Sequence, residues 1–297
     1  GTRFNDRITG DLNEFAPKAK IVHLDIDASS ISRNVVVDVP VVSDAKIALE
    51  HLVEWAEPKN TDKWLTKISA WQEENPLEMR RDHGLSPQMI METINETFPQ
   101  GIVVTDVGQH QMWATQYITM PRGKQMITSG GLGTMGFGFP AAIGAKIGDP
   151  DQDVVCITGD GGMQMNMQEM ATAICEKVPL TVCILNNYYL GMVRQMQQMF
   201  YGKRYEITCL RRQVGCPDGC KGPNAACPPY VPDFVKWAES YGAHGIRVHS
   251  EEEAREALAR AKEYKDAPTV IEFMIATDEL VLPMVKSGNP MSEMILK

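Results

Sequence analysis

Two short motifs follow apolar segments of the sequence and carry oxygen ligands in a pattern that suits a metal ion. Gly159-Asp160-Gly161 comes directly after Val154–Thr158, and Asn186-Asn187 comes directly after Leu180–Leu185. The two motifs are separated by 24 residues. Because ligands bind at the carboxyl ends of parallel strands, the two motifs can share one site. A carboxylate, an amide oxygen and a backbone carbonyl suit Mg²⁺ that carries a ligand's phosphates, and the glycines let backbone N–H groups approach the anion. The spacing therefore predicts a Mg²⁺-diphosphate site.

Each motif alone is ordinary, since most Gly-Asp-Gly triplets are turns and Asn-Asn pairs are common in loops. The two motifs become informative because both follow predicted strands of one sheet. From residue 86 onward, apolar strands alternate with helical patterns. Strands are predicted at 101–106, 154–158, 180–185, 245–248 and 269–275. This alternation predicts an α/β fold, with a parallel sheet covered by helices on both faces.

The first part of the chain has a different organisation. A strand at 20–27, an extended piece at 39–42 and a helix at 44–56 are too few elements for a complete doubly wound domain. We therefore interpret residues 1–56 as the remnant of a second α/β domain, so that the chain is expected to begin inside a domain. Residues 57–85 are interpreted as a linker, and residues 86–297 as the main domain.

Composition narrows the classes of function. The 297 residues carry a net charge of -9, which argues against a nucleic-acid partner because phosphate binding needs clustered Lys and Arg. No apolar run reaches the roughly 18 residues that span a bilayer, and no signal peptide is visible, so no membrane partner is expected. Seven cysteines, an odd number, fit a reducing, cytoplasmic setting.

The two motifs and the sequence stretches around them resemble a known enzyme family. Together the motifs resemble the signature of thiamine-diphosphate enzymes. The stretches Gly108–Trp113, Ser129–Ala142, Gln164–Glu169 and Leu190–Gln195 are similar, more narrowly, to acetolactate (acetohydroxyacid) synthase large subunits. Gly1–Gly10 also matches that family, in its central FAD-binding domain. The resemblance covers the C-terminal portion of such a subunit and is weakest over residues 208–230.

The resemblance implies a function. Family members decarboxylate pyruvate with thiamine diphosphate and Mg²⁺ and condense the product with pyruvate or 2-ketobutyrate, giving acetolactate or acetohydroxybutyrate. This is the first common step of branched-chain amino acid biosynthesis. The resemblance also implies a structural FAD, a homodimer or tetramer, and a small regulatory subunit. Alternatives remain open: another thiamine-diphosphate 2-keto-acid enzyme (pyruvate oxidase, glyoxylate carboligase or catabolic acetolactate synthase), or a degenerate non-catalytic homologue.

Site residues carry over from the same resemblance. Asp160, Asn187 and the carbonyl of Tyr189 are implied as Mg²⁺ ligands, while Met192 is implied to wedge beneath the cofactor and force its bent conformation. Arg7 is implied to grip the carboxylate of the second substrate. Further thiamine-diphosphate contacts are implied at Gln109, His110, Gly133, Met135, Gly159, Gly161, Gly162, Met165, Leu190 and Gly191. FAD contacts are implied at Arg3, Asp25, Ile26 and Asp44.

Each of these side chains also has a simpler interpretation. Met165 and Met192 can fill a core, because thioethers fit irregular gaps. His110 can be a capping or core histidine, and Arg7 can form a surface ion pair. Asp25 and Asp44 can be capping or turn residues.

Two departures from the family stand out. Met196 lies where family members usually carry Trp, on the helix that lines the substrate channel, so we expect weaker selection for 2-ketobutyrate over pyruvate. Cys209, Cys216, Cys220 and Cys227 occupy a Gly- and Pro-rich region where the family has a short connection. An ordinary insertion loop is favoured for them, ahead of a four-thiolate zinc site and of disulfides.

One catalytic group is expected to be missing. In this family the glutamate that activates the cofactor belongs to a pyrimidine-binding domain, supplied across a dimer interface. No segment of these 297 residues resembles that domain. We therefore expect the chain alone to be inactive, although its half of the site can still hold Mg²⁺-diphosphate.

Overall fold

The computed structural model describes residues 1–79, 82, 84–217, 220, 222, 224 and 226–296. Contacts divide the chain into two compact units. The first unit consists of the described residues of Gly1–Leu77 and Leu282–Lys297, and the second of those of Glu78–Val281. The tail after residue 281 thus makes its contacts within the first unit. The segment interpreted as a linker includes Arg80, Arg81 and His83, which lie outside the described residues.

The first unit is built around a short parallel sheet. Its elements are α1 (Asp6–Thr9), β1 (Val22–Asp25), β2 (Val39–Val42), α2 (Ala45–Trp55) and α3 (Asp62–Glu74). Strands β1 and β2 pair in parallel, with Leu24 opposite Val41. Asp44 caps α2, because its carboxylate accepts the backbone N–H groups of Lys46 and Ile47 at 2.8 and 3.3 Å. The predicted strand, extended piece and helix are all present.

The second unit is a six-stranded parallel sheet with flanking helices, as predicted. Its strands are β3 (Ile102–Thr105), β4 (Met126–Thr128), β5 (Val154–Gly159), β6 (Thr181–Asn186), β7 (His244–Val248) and β8 (Thr269–Met274). They lie in the order β4-β3-β5-β6-β8-β7, and every pairing is parallel. Its helices are α4 (Pro87–Thr97), α5 (Gln109–Tyr117), α6 (Gly138–Gly148), α7 (Asp160–Met163), α8 (Met170–Cys175), α9 (Gly191–Phe200), α10 (Phe234–Ser240) and α11 (Glu251–Glu263).

The central strands are mostly apolar because both faces of the sheet are covered. Every residue of β5 and β6 is buried. Alternate side chains, such as Val104, Cys156 and Ile184, pack with Phe139 and Met170 in one core cluster. The intervening side chains point to the opposite face, where α4 packs against α5 and α11. This layered core fixes the carboxyl ends of β3, β5 and β6 beside one another.

Two local features differ from the sequence prediction. Strand β4 was not predicted, since its three residues are too short to show a period and only pairing with β3 defines it. The helical segment between the predicted strands at 154–158 and 180–185 is divided into α7, one 3-10 turn at Met167–Glu169, and α8. The division falls at Asn166, whose side-chain amide donates to the carbonyl of Gly136 at 2.8 Å instead of facing solvent. Among the described residues, no helix is long and apolar enough to cross a membrane.

A pair of glycines in α6 tests the close packing at the carboxyl end of β3. A Cβ atom at Gly138 would lie 2.7 Å from the backbone nitrogen of Asp106, whereas a Cβ at Gly144 meets nothing within 4 Å. We expect Gly138→Ala to lower the free energy of unfolding by about 1–3 kcal/mol, because the backbone must shift. Gly144→Ala should raise it by about 0.5–1 kcal/mol, since alanine favours an exposed helix. Urea unfolding measures both, and equal effects would contradict this packing.

Candidate functional site

The motifs Gly159-Asp160-Gly161 and Asn186-Asn187 meet at one cavity. Asp160 follows β5 and Asn187 follows β6, and these strands are neighbours, with Gly159 opposite Leu185. Both side chains are buried and line the same cavity of about 70 Å³. The other cavity-lining residues among those predicted are Gln109, His110, Met135, Gly159, Gly161, Gly162, Tyr189, Leu190, Gly191 and Met192. The cavity lies at the carboxyl ends of the strands, where parallel sheets bind ligands.

Asp160 is a buried carboxyl group with half of its hydrogen-bonding capacity unused. Its Oδ1 atom accepts the backbone N–H of Gly161 at 2.9 Å, while Oδ2 has no hydrogen-bond partner. Burial raises the pKa of Asp160 to about 8, although backbone hydrogen bonds oppose this shift. An ionised carboxylate here is therefore costly unless a cation sits beside it.

The Asn-Asn motif forms two consecutive side-chain turns. The Oδ1 atoms of Asn186 and Asn187 accept the backbone N–H groups of Tyr188 and Tyr189, each at 3.0 Å. Tyr188 adopts a φ of 67°, an uncommon left-handed conformation for a tyrosine. These turns direct the chain after β6 back over the cavity, so that Tyr189 lines it.

Gln109 and His110 start helix α5 at the cavity wall. The amide of Gln109 is already engaged: Nε2 donates to Gln195 Oε1 and to the carbonyl of Glu279, and Oε1 accepts from Asn187. His110 differs, because its Nε2 atom is buried without a partner. Burial lowers the pKa of His110 to about 4, so the imidazole is neutral near pH 7.

Gly191 is required by this crowding. A Cβ atom there would collide with the Gln109 amide and lie 2.7 Å from Nδ2 of Asn187. Only glycine lets the start of α9 approach both side chains. This approach brings Leu190 and Met192, the residues on either side, to the cavity wall.

Sequence reasoning missed some residues at this site. Asp106, at the end of β3, is 1% exposed and accepts three backbone N–H groups: those of Val107 and Gly136 at Oδ1 and that of Gly138 at Oδ2. An acid as the last residue of the strand predicted at 101–106 was a signal that could have found it. Trp113 lines the cavity with its indole nitrogen buried and unpartnered. It ends the stretch Gly108–Trp113 that resembles the family, but the resemblance implied no role for it.

Two predicted thiamine-diphosphate contacts do not line the cavity in this structure. Gly133 has a φ of 75° in the exposed glycine-rich segment, where its N–H donates to the carbonyl of Ser129. Met165 is 52% exposed, and its side chain lies against the backbone of Gly136. Their roles remain predictions.

The remaining predicted residues belong to the first unit. Arg7 donates to the carbonyl of Val285 and pairs with Asp6 at 3.1 Å. Asp25 accepts the N–H of Asp27, which lowers its pKa, and Asp44 caps α2. Ile26 is 73% exposed, and Arg3 accepts a hydrogen bond from Asn34 through its carbonyl. None of these observations points to a flavin, so the FAD contacts rest on resemblance alone.

A second cavity of about 430 Å³ is lined by the four cysteines Cys209, Cys216, Cys220 and Cys227. All four thiols are free. Among the described residues, no group of three or more His, Cys, Asp and Glu side chains is arranged to hold a metal ion. The structure therefore contains neither disulfides nor a zinc-type arrangement here, and the insertion-loop interpretation stays a prediction.

The first cavity fits a metal-bound diphosphate. Three buried polar atoms at its wall lack partners: Asp160 Oδ2, His110 Nε2 and Trp113 Nε1. Unsatisfied buried polar groups are rare in folded proteins and commonly indicate a missing ligand or ion. The carboxylate matches a cation, whereas the indole N–H matches an anion. Such a pairing is what a Mg²⁺-diphosphate group requires.

Comparison with known proteins agrees with this geometry. Residues 106–273 match the family model described as thiamine pyrophosphate enzyme, C-terminal TPP binding domain, and residues 1–52 match the central domain of the same enzymes. The chain is 41% identical to the acetolactate synthase large subunit of Corynebacterium glutamicum, covering 99% of this chain and 46% of that protein. It is 39% identical to the large subunit of Haemophilus influenzae, covering 100% and 50%.

The chain spans about half the length of the curated relatives it matches. Within that half, the family match covers the cavity-lining residues from Val107 to Val193, and it extends over more than half of the chain. The protein therefore belongs to the thiamine pyrophosphate enzyme family.

Proposed function

We propose that this chain provides the diphosphate-binding half-site of an acetolactate synthase. The reaction is decarboxylation of pyruvate and condensation with pyruvate or 2-ketobutyrate, which yields acetolactate or acetohydroxybutyrate for branched-chain amino acid biosynthesis. The observation that carries the proposal is that two buried polar atoms at one cavity, Asp160 Oδ2 and His110 Nε2, have no hydrogen-bond partner. The names of the relatives support the specific reaction.

In this proposal the strand ends hold the metal. Asp160 would supply a carboxylate oxygen, Asn187 an amide oxygen and Tyr189 a backbone carbonyl, and phosphate oxygens and water would complete the shell of Mg²⁺. Asp160 is the only one of the three that carries charge. Its burial strengthens the attraction to a cation, because little water competes for either charge.

The start of α5 holds the diphosphate in this proposal. Gln109 and His110 lie in its first turn, where backbone N–H groups face an anion. Gly133 and Met135 would line the aminopyrimidine, and Met165 would lie close to the diphosphate arm. Met192 would lie beneath the cofactor. Bound thiamine diphosphate supplies the nucleophilic carbon and the electron sink for decarboxylation. The chain's own residues orient that group and exclude water from it.

Other parts of the proposal rest on the family. Arg7 is proposed to bind the second 2-keto acid through its guanidinium. A small regulatory subunit is expected because relatives are named large subunits, and we propose a homodimer or tetramer that contains FAD. Free thiols throughout fit a cytoplasmic location, which we also propose.

Replacing the single charged ligand tests the metal site. Asp160→Asn should weaken Mg²⁺-dependent binding of thiamine diphosphate by about tenfold to a hundredfold, since a charge-assisted contact of ~1.5–3 kcal/mol is lost. Calorimetric titration with thiamine diphosphate, in Mg²⁺ and in EDTA, measures the change. The thermal midpoint of the metal-free protein should not fall, because the Oδ2 atom replaced makes no hydrogen bond.

Asp151→Asn is the matched control. Asp151 is an exposed acid that precedes β5, whereas Asp160 follows it. The Asp151→Asn substitution therefore removes the same charge near the opposite end of the same strand. Its affinity should equal that of the wild type. Equal affinity of the Asp160→Asn variant would disprove the metal site, and with it the assignment of the cavity.

The 297-residue chain alone should form acetolactate about 10²- to 10⁴-fold more slowly than a full-length family enzyme, because the activating glutamate is expected on a separate domain. A colorimetric acetolactate assay on the purified chain, with and without a co-expressed pyrimidine-binding half, measures this. Turnover by the chain alone at normal family rates would refute the expectation.

Met196, partly buried on α9, bears on substrate choice. In the reconstituted enzyme, Met196→Trp should raise the preference for 2-ketobutyrate over pyruvate by roughly tenfold, because a larger aromatic wall contacts the extra methylene. Product ratios under competition measure it. Met196→Leu conserves volume and should leave the ratio unchanged; an unchanged ratio in the Trp variant would end this interpretation.

A further inference from the structure

A buried acid lies among apolar residues in the middle of strand β8. Glu272 lies on β8, which runs between β6 and β7, and its side chain is only 3% exposed. Its register neighbours are Ile184 on β6 and Arg247 on β7. A carboxylate is costly in such a layer unless both of its oxygens are paired.

Both oxygens of Glu272 are paired, and the two partners lie on opposite sides. Oε2 accepts from Nε of Arg247 at 2.8 Å, and Oε1 accepts from Nδ2 of Asn186 at 2.6 Å. Arg247 is held in turn by Asp233, whose Oδ1 lies 2.7 Å from Nη2. A continuous polar chain therefore runs from the surface at Asp233 to Asn186, the last residue of β6.

The contact with Glu272 fixes which way the Asn186 amide points. Asn186 is fully buried, and its side chain has one acceptor oxygen and one donor nitrogen. Since Glu272 occupies the nitrogen, the oxygen faces the backbone N–H of Tyr188, which it accepts at 3.0 Å. That bond braces Tyr188 in its left-handed conformation, between the two proposed metal ligands Asn187 and Tyr189.

We propose that Glu272 is a positioning residue for the metal loop: through the Asn186 amide it holds Tyr188, and thereby sets Asn187 and the Tyr189 carbonyl for Mg²⁺. This inference rests on the proposed function of the cavity. Glu272 itself does not line that cavity, and its carboxylate oxygens are bonded to Asn186 and Arg247 rather than to a proposed ligand. Groups that orient metal ligands affect affinity without contacting the metal.

Glu272→Gln is the informative substitution, because it keeps the shape and removes one acceptor. A glutamine can accept from Asn186 or from Arg247, but its NH₂ group must then face the other donor. Either arrangement puts two donors together or flips the Asn186 amide against Tyr188. We expect the Mg²⁺ affinity at saturating thiamine diphosphate, measured by calorimetry, to fall by about 10- to 100-fold.

Asp233→Asn provides the matched control. It breaks the other ion pair of the same Arg247 and leaves the contact between Glu272 and Asn186 in place. Asparagine can still cap α10, as Asp233 does by accepting the N–H of Lys236. This variant should bind Mg²⁺ within about twofold of wild type, so a general loss of stability is separated from a loss of positioning.

A double-mutant cycle completes the test and remains usable if Glu272→Gln alone folds poorly. Asn186→Ala removes the amide that links Glu272 to Tyr188, so it should lower Mg²⁺ affinity by a similar factor. Adding Glu272→Gln to Asn186→Ala should then lower it little further. Additive losses would show that Glu272 acts by another route and would overturn the inference.

The outcomes separate the two levels of proposal. If the wild-type chain shows no Mg²⁺-dependent binding of thiamine diphosphate, the proposed function fails and Glu272 has no metal loop to position. If the wild type binds and folded Glu272→Gln binds equally well, only the positioning role is overturned. Loss in Glu272→Gln and Asn186→Ala, with retention in Asp233→Asn, supports it.

Discussion

The carboxylate of Asp106 is the constraint on which the site depends. It sits at the end of β3, almost completely buried, and it is paired with three backbone N–H groups, two of them from the glycine-rich segment that leads into α6. Close approach of this carboxylate and its backbone leaves no room for a Cβ at Gly138 or Gly162. Backbone donors satisfy the charge without another side chain, so the segment is held in place while its glycines stay open to a ligand.

The same edge of the sheet combines satisfied and unsatisfied polar groups. Asp106, Gln109 and Glu272 have their hydrogen bonds completed by the protein, whereas Asp160 Oδ2 and His110 Nε2 do not. Unpaired buried groups cost stability, so a fold keeps them where a ligand repays that cost. The satisfied groups keep the unsatisfied ones rigid, which spares the ligand the cost of ordering them.

The sequence predicts the sheet and the location of the site because both depend on local patterns. Apolar strands such as β5 and β6 show their burial directly, and motifs that follow adjacent strands must meet. The rest depends on tertiary partners. Strand β4 is defined only by β3, and the Gln109 amide is engaged by residues about 80 and 170 positions away. Capping by Asp44 was foreseen as the simpler interpretation of that residue, and the structure has it.

Asn186 and Asn187 show why a sequence motif does not reveal the role of each of its residues. Asn187 faces the cavity, while its neighbour Asn186 faces the strand behind and is held by Glu272. Adjacent residues leaving a strand point to opposite sides, so one can present an oxygen while the other anchors the turn. An acid inside an apolar strand is hard to interpret from sequence, because its pairing is across the sheet. Together, Glu272 and Asp106 support the same edge from β8 and from β3, which accounts for two buried acids in a mostly apolar sheet.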